Sequence, residues 1–337
     1  MKKFKLLVLT DHSGHSQENA LYAMVREMQS NPICGGIDIA SRGISLNDVF
    51  FEDLEDQTLL ACKSDYAFEF KANGDAFRKS QRIVEIQEYD AVWLRLPPPF
   101  TEKFACFLES KFPKTLFINR PKGILKTGDK AFLTNFSNLC APTKLCNTAE
   151  DIIDFKEQFS IVLKPLKGYG GKGIVKIVND QVWEGSESMS FEDFMTDYTK
   201  NPISYLGVKY LENVANGDKR IIVIDGEIMG ASLRLPKDGS WLCNVAMGGQ
   251  SVKSSVSEEE VEMVKVLNPV MKDWGVVMYG VDTLEDDNGK RILSEINTTS
   301  IGGLPQIAAM RKEPLVEKAI DLIWSYFETK NDLKKKK

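Results

Sequence analysis

Apolar residues fall in short runs separated by glycine, proline and polar clusters, and the period of each run sets the element it predicts. Residues 4–9 form a near-continuous apolar run, the pattern of a buried strand. A Ser/Gly loop leads to an amphipathic helix near 17–30, then to a polar, acidic middle. Residues 91–95 and 115–119 read as strands, and Pro97, Pro98 and Pro99 between them must be extended. Residues 119–123 read as a linker that closes an α/β unit. Helices near 129–138 and 148–158 precede strands at 161–164 and 173–178, a small α+β unit. The Ser-, Asp- and Glu-rich stretch 183–202 reads as a loop with a turn or two of helix. Strands then dominate at 208–210, 220–224 and 228–234, the last two joined by an Asp225-Gly226 hairpin turn. A helix near 257–273, a hairpin over 276–297 and a final helix near 313–328 complete the chain. The expected units are 1–122, 123–205 and 206–330, followed by a basic tail at 331–337.

The hairpin carries the strongest chemical signal. Asn288-Gly289 predicts a two-residue type I′ turn, which places Asp282 directly opposite Glu295. Asn297 falls on the same face as Glu295. Facing carboxylates repel. A hard divalent cation removes that cost, and two carboxylates with an amide oxygen suit Mg²⁺ shared with substrate phosphates. A solvated sheet edge with incidental acids is the other reading.

Net charge is −5, from 43 basic and 48 acidic residues, which argues against broad affinity for nucleic acid. No run reaches the length of a membrane span, and the 4–9 run is too short for a signal peptide core. The six cysteines show no C-x-x-C spacing and read as reduced packing thiols of a cytoplasmic protein. His12 and His15 could share a metal, but no third ligand is evident, so a polar loop is favoured.

Residues 164–173 (KPLKGYGGKG) contain a formal G-x-G-x-x-G at Gly168, Gly170 and Gly173. The β-branched GIVKIV that follows predicts a strand, not the helix of a dinucleotide fingerprint. The segment therefore reads as a strand–loop–strand flap whose glycines let backbone N–H groups approach phosphate. A flexible hairpin with scattered lysines is the alternative. Arg220 and Arg234 sit at strand ends, where the guanidinium fork clamps carboxylate or phosphate. Residues 236–250 form a long loop able to move over such a site.

These features in this order resemble the ATP-grasp superfamily, and within it the bacterial glutathione synthetases. The similar segments are LRLPPPF (94–100), INRPKGIL (118–125) with Lys130 after it, VLKPLKGYGGKGI (162–174), NGDKRIIVIDGE (216–227), NVAMGG (244–249), YGVD (279–282) and SEINTTS (294–300). The resemblance implies an α/β architecture of three parts: a Rossmann-like N-terminal domain, an α+β lid, and a larger domain with the metal site. ATP would lie between the last two. It implies that Lys130 and Lys164 meet ATP phosphates under a flap of Gly168, Tyr169, Gly170, Gly171 and Gly173. Lys209, Tyr210 and Leu211 would meet adenine through their backbone, with Asp218 also on the nucleotide side. Asp282, Glu295 and Asn297 would hold two Mg²⁺ ions, for which Mn²⁺ could substitute. Arg220 and Arg234 would bind the acyl phosphate and its precursor. Arg95, Asn244, Gly248, Gly249, Thr299 and Ser300 would face small-molecule substrates. A homo-oligomer is an expectation from the resemblance alone.

The implied reaction is ATP-dependent amide formation through an acyl phosphate, with γ-glutamylcysteine and glycine as the leading pair. Three departures fall on the acceptor side: Leu242 where the family carries arginine, Leu96-Pro97 where it carries Lys-Asp, and IGGLPQ at 301–306. They keep open a ligase for another amino acid or peptide pair. A nucleotide-binding protein without turnover is the reading from another class. No protein-kinase His-Arg-Asp or Asp-Phe-Gly is present.

Overall fold

The computed structural model describes residues 3–55, 59–168, 171–236 and 250–335. The first sheet contains β1 (Phe4–Thr10), β2 (Cys34–Ser41), β3 (Leu60–Lys63), β4 (Gln81–Ile83), β5 (Ala91–Arg95) and β6 (Leu116–Ile118). Their order is β4-β3-β2-β1-β5-β6, with β2, β1, β5 and β6 parallel and the other pairs antiparallel. The buried run of β1 sits at its centre, as its unbroken apolar pattern requires. Helices α1 (Ala20–Ser30), α2 (Asp48–Phe51) and α3 (Glu102–Lys111) accompany this sheet, and α4 (Pro121–Gly128) follows it.

The second sheet is antiparallel: β7 (Thr143–Cys146), β8 (Ile161–Pro165), β9 (Val175–Val178), β10 (Gln181–Glu184), β11 (Glu187–Ser190) and β12 (Tyr205–Lys209), in the order β11-β10-β9-β8-β12-β7. It carries α5 (Ala149–Gln158) and α6 (Phe191–Lys200). The third sheet is also antiparallel: β13 (Asp218–Ile224), β14 (Glu227–Leu235), β15 (Gln250–Ser254), β16 (Met278–Glu285) and β17 (Arg291–Asn297), in the order β15-β14-β13-β16-β17. Helix α7 (Glu258–Asp273) packs on one face of it, and α8 (Leu304–Arg311) and α9 (Leu315–Lys335) end the chain. Ile320, Ile323, Trp324 and Phe327 of α9 share a core with Leu6, Val8 and Met24 and with Ile222 and Ile224. The last helix therefore binds the first sheet to the third.

Several expectations are corrected. The stretch 183–202 is a β-hairpin arm and a ten-residue helix, because Phe194 and Tyr198 recur at helical spacing inside its polar surface. The anticipated helix at 129–138 is a 3₁₀ segment, Lys130–Phe136, directly after α4. The final helix expected near 313–328 is α9, and the unanticipated α8 precedes it, the two separated where Lys312 takes a left-handed φ of 57° before Pro314. The expected division after residue 205 falls inside β12.

Residues 119–123 are no linker. Pro121 opens α4, its missing N–H costing nothing at a first helical turn. Asn119 is buried and makes four hydrogen bonds to the third sheet's segment. Its Nδ2 donates to the carbonyls of Met278 (2.6 Å) and Thr298 (2.9 Å), and its Oδ1 accepts from the N–H groups of Val277 and Met278 (2.8 Å each). Asn119→Ala strands all four groups, so about 3 kcal/mol of stability should be lost. Urea unfolding of the variant checks this, and a shift under 1 kcal/mol would refute it.

Candidate active site

Alternation along the third sheet puts its charges on opposite faces. On the helix face, Lys219 Nζ donates to Glu260 Oε2 (2.8 Å) and Thr283 Oγ1 to Glu260 Oε1 (2.7 Å). Glu260 is fully buried, and it is also the third residue of the Ser257 capping box that starts α7. This network fastens the helix behind the strands that carry Arg220 and Asp282, the next residues along.

On the other face the site residues converge. Arg220 lies opposite Asp282 in the ladder, and its Nε and Nη2 donate to the two carboxylate oxygens at 2.6 Å each. A side chain at Gly280 would meet Arg220 Cδ at 3.3 Å, so the glycine clears the path of that arginine. Arg234 lies opposite Asp218 and donates from Nη2 to Asp218 and, at 2.7 Å, to Asp282 Oδ2. Asn297 Nδ2 donates to the same oxygen at 3.0 Å, which turns its own Oδ1 away from Asp282. Burial works against ionised Asp282, but both guanidiniums hold its pKa well below the usual carboxylate range. Asp218 is pushed up to about 7 by burial and by the charge of Asp282, against the pull of the arginines.

Asp282 does face Glu295. The turn that sets this register differs from the expected one. Among the described residues of the turn only Gly289 has positive φ (82°), so it is not type I′. Asp286 N–H instead bonds Lys290 O, and Asp286 Oδ1 accepts from the N–H groups of Asn288 and Lys290. That shifts the pairing by one residue. A bulge between Asp282 and Thr283 shifts it back before the site.

Lysines flank Glu295. Lys130 Nζ lies 3.4 Å from Glu295 Oε1 and donates to the Gly168 carbonyl of the flap. Lys164 Nζ reaches Ser294 Oγ at 3.2 Å, and burial lowers its pKa despite the attraction of Glu295. In the flap Gly171 and Gly173 take φ of 80° and 67°, left-handed values that suit glycine alone. Beside these charges opens a cleft with about 800 Å³ of empty space, lined by Val162, Lys164 and Ile174 on one side and by Leu284, Ile292 and Leu293 on the other. Lys209, Tyr210, Leu211 and Asp218 also line it. The N–H groups of Lys209 and Tyr210 are committed to the carbonyls of Pro142 and Ser160. Lys209 Nζ meets Asp287 Oδ2 at 2.6 Å, tying β12 to the tip of the β16–β17 hairpin.

The cations Lys130, Lys164, Arg220 and Arg234 outnumber the acids Asp218, Asp282 and Glu295, leaving a net positive site for an anionic ligand. Among the described residues no cluster of three His, Cys, Asp or Glu is placed to hold a metal. The candidate Mg²⁺ set is of another kind: the facing carboxylates of Asp282 and Glu295 suit a hard cation that shares its shell with phosphates, and Asn297 would join them only by turning its amide to present the oxygen.

Other expected residues differ. Arg95 does not reach an open surface: it is 2% exposed, donates from Nη2 to the Ile301 carbonyl at 2.8 Å and lies 5.1 Å over the Trp93 ring. It anchors the 301–306 segment, next to Thr299 and to Ser300, whose φ is 43°. Tyr169, Gly170, Leu242, Asn244, Gly248 and Gly249 lie outside the described residues. The sequence reading missed Asn119, Glu260 and Ser294; only Glu260 had a legible signal, the Ser-x-x-Glu capping box.

The histidine pair is a polar loop. His12 Nδ1 lies 2.6 Å from Ser41 Oγ, and its ring stacks on Phe77. His15 sits between Thr10 Oγ1 (3.3 Å) and Tyr22 OH (3.0 Å), and burial takes its pKa from 6.5 down to about 4. The unfolded chain therefore binds the extra proton first. Stability from a neutral His15 is whole above pH 6.5 and is lost as pH falls toward 4, by up to about 2 kcal/mol after screening. His15→Gln should flatten stability between pH 7 and 5, measured by urea midpoints; an unchanged slope would contradict this.

Residues 129–312 match the family described as "Prokaryotic glutathione synthetase, ATP-grasp domain". Among curated relatives, a glutathione synthetase of Prochlorococcus marinus subsp. pastoris is 30% identical over 248 residues, 72% of this chain and 77% of that protein. One of Brucella melitensis is 32% identical over 228 residues, 66% of this chain and 69% of that protein. Among solved structures, D-cycloserine synthetase DcsG superposes with a TM-score of 0.64 at 14% identity, covering 96% of this chain and 99% of that one. A D-alanine–D-alanine ligase of Bacillus anthracis, complexed with ATP, gives 0.57 at 16%, covering 97% and 100%. At these identities the structures show the shared fold, and the sequence relatives show the family. Its members are ATP-dependent ligases that form C–N bonds. The chain is an ATP-grasp ligase and belongs to the prokaryotic glutathione synthetase family.

Proposed function

We infer that the chain joins a carboxylate to an amine through an acyl phosphate, with γ-glutamylcysteine and glycine as the leading substrates. The observation that carries this is the convergence of Lys130, Lys164, Arg220 and Arg234 on Asp282 and Glu295 beside an apolar cleft. The adenine of ATP would lie between Val162, Ile174 and Leu211 on one wall and Leu284 and Ile292 on the other. The N–H groups of Lys209 and Tyr210 are spent, so the adenine edge would be read by carbonyls and by the next N–H, that of Leu211. Lys130 and Lys164 would take the phosphates, under the Gly168–Gly173 flap.

Asp282, Glu295 and the Asn297 amide oxygen would hold Mg²⁺, which when bound neutralises charge between the phosphates. Arg220 and Arg234 now grip Asp282 with three hydrogen bonds focused on one carboxylate. Once a cation shares Asp282, these guanidiniums are free to turn to the substrate carboxylate and the transferred phosphoryl group. A carboxylate oxygen attacks the γ-phosphorus and ADP leaves. The amine then attacks the acyl carbon and phosphate leaves with the oxygen it gained. Catalysis here is charge stabilisation by fixed cations, with no side-chain nucleophile required.

The test is isotopic. With the substrate carboxylate labelled with ¹⁸O, one labelled oxygen should appear in the released phosphate; unlabelled phosphate would exclude the acyl phosphate. A second reading, another amino acid or peptide pair, is favoured by the Arg95 anchor on the IGGLPQ segment and by Leu242.

A further inference from the structure

At the end of the third sheet, away from the nucleotide cleft, lies a second pit with about 640 Å³ of empty space. It opens between the Asp225-Gly226 turn, the C-terminal half of α7, the start of β16 and the end of α9. Lys272 of α7 and Lys330 of α9 face into it, with Asp225, Asn268, Tyr279 and Tyr326.

Its charges are held apart. Both lysines act on Asp225 electrostatically, yet among the described residues no ammonium comes within ion-pair distance of its carboxylate. Lys330 lies 5.3 Å over the Tyr326 ring instead. The neighbouring Glu227 is paired with Lys318 at 3.0 Å. Asn268 is committed as well, accepting from Tyr279 OH and donating to Gly226 O at 2.9 Å. That fixes the floor of the pit and leaves two cations and one anion disposed around space.

We propose that this pit binds a small acidic amino acid or peptide bearing two carboxylates and one ammonium. The carboxylates go to Lys272 and Lys330 and the ammonium to Asp225, which is the charge complement of the site. The Tyr326 ring packs against the carbon chain between them. The proposal goes beyond the ligase reading and does not depend on it.

The test is calorimetric titration of the full chain, its nucleotide cleft filled with MgADP, using L-glutamate as the probe and glutarate as the analogue without ammonium. One saturable site that prefers glutamate is expected. Lys272→Met and Lys330→Met should each weaken it about tenfold or more. Asp225→Asn should abolish the preference for glutamate over glutarate, and Arg234→Met should leave the binding in place. Absence of saturable binding, or binding that is insensitive to both lysine variants, would overturn the proposal. Binding lost with Arg234→Met would place the ligand in the cleft and overturn it equally.

Discussion

Asp282→Asn is expected to lower turnover by about a thousandfold or more, the scale of losing a fixed charge at the reacting centre. Asp282 is 2% exposed, and its carboxylate accepts from Arg220, Arg234 and Asn297. Asparagine keeps the volume but not the charge. The two guanidiniums would then keep only Asp218, which is bonded to Arg234, as a direct counter-ion, and the cation set would lose its central carboxylate. Part of the effect falls on stability, because breaking a buried pair costs about 3 kcal/mol. Glu295→Gln separates the two effects. That side chain is 33% exposed and meets Lys130 at 3.4 Å, so its loss should abolish turnover with little change in the unfolding midpoint. Near-normal kcat in either folded variant, confirmed by circular dichroism, would remove the cation assignment.

Lys164→Met should raise the Kd for MgATP about a hundredfold, since a buried ammonium on phosphate is a strong charge-assisted contact. The same change should leave the ligand-free protein as stable as before or more so. Without a ligand the ammonium is buried among Glu295, Lys130 and Asp218, and among the described residues only Ser294 accepts its hydrogen bonds, at 3.2 and 3.4 Å. Its burial is a cost that the nucleotide's phosphates would offset. Opposite signs for affinity and stability would mark Lys164 as a ligand-binding residue. An unchanged affinity would mean that the flap covers something other than phosphate.

Much of the site was legible because its residues lie on strands, where period two fixes which side chains share a face. Asp282 and Glu295 pair as expected, but for a reason the sequence hid. The turn closes one residue early at Asp286 and the bulge after Asp282 restores the count. Two compensating shifts leave no trace in an alternating pattern. The grip of Arg220 and Arg234 on Asp282 was not legible, since it needs three strands in one order. Asn119 was misread because Asn-Arg-Pro carries the local chemistry of a turn. Its four hydrogen bonds reach residues more than 150 positions away. The arm at 183–202 was missed because its polar faces are solvated, and of its residues only Phe194 and Tyr198 are buried in the core, with Met189, Phe191 and Met195 partly so.

The most direct measurement is ADP and phosphate release from MgATP, comparing γ-glutamylcysteine plus glycine with a panel of other dipeptides and amino acids. The account predicts equimolar ADP and phosphate that require both a carboxylate and an amine substrate, most strongly γ-glutamylcysteine with glycine. Turnover with another pair alone would keep the ligase and move its specificity to other substrates. Tight MgATP binding with no ADP release for any pair would contradict the account and leave a nucleotide-binding protein without turnover.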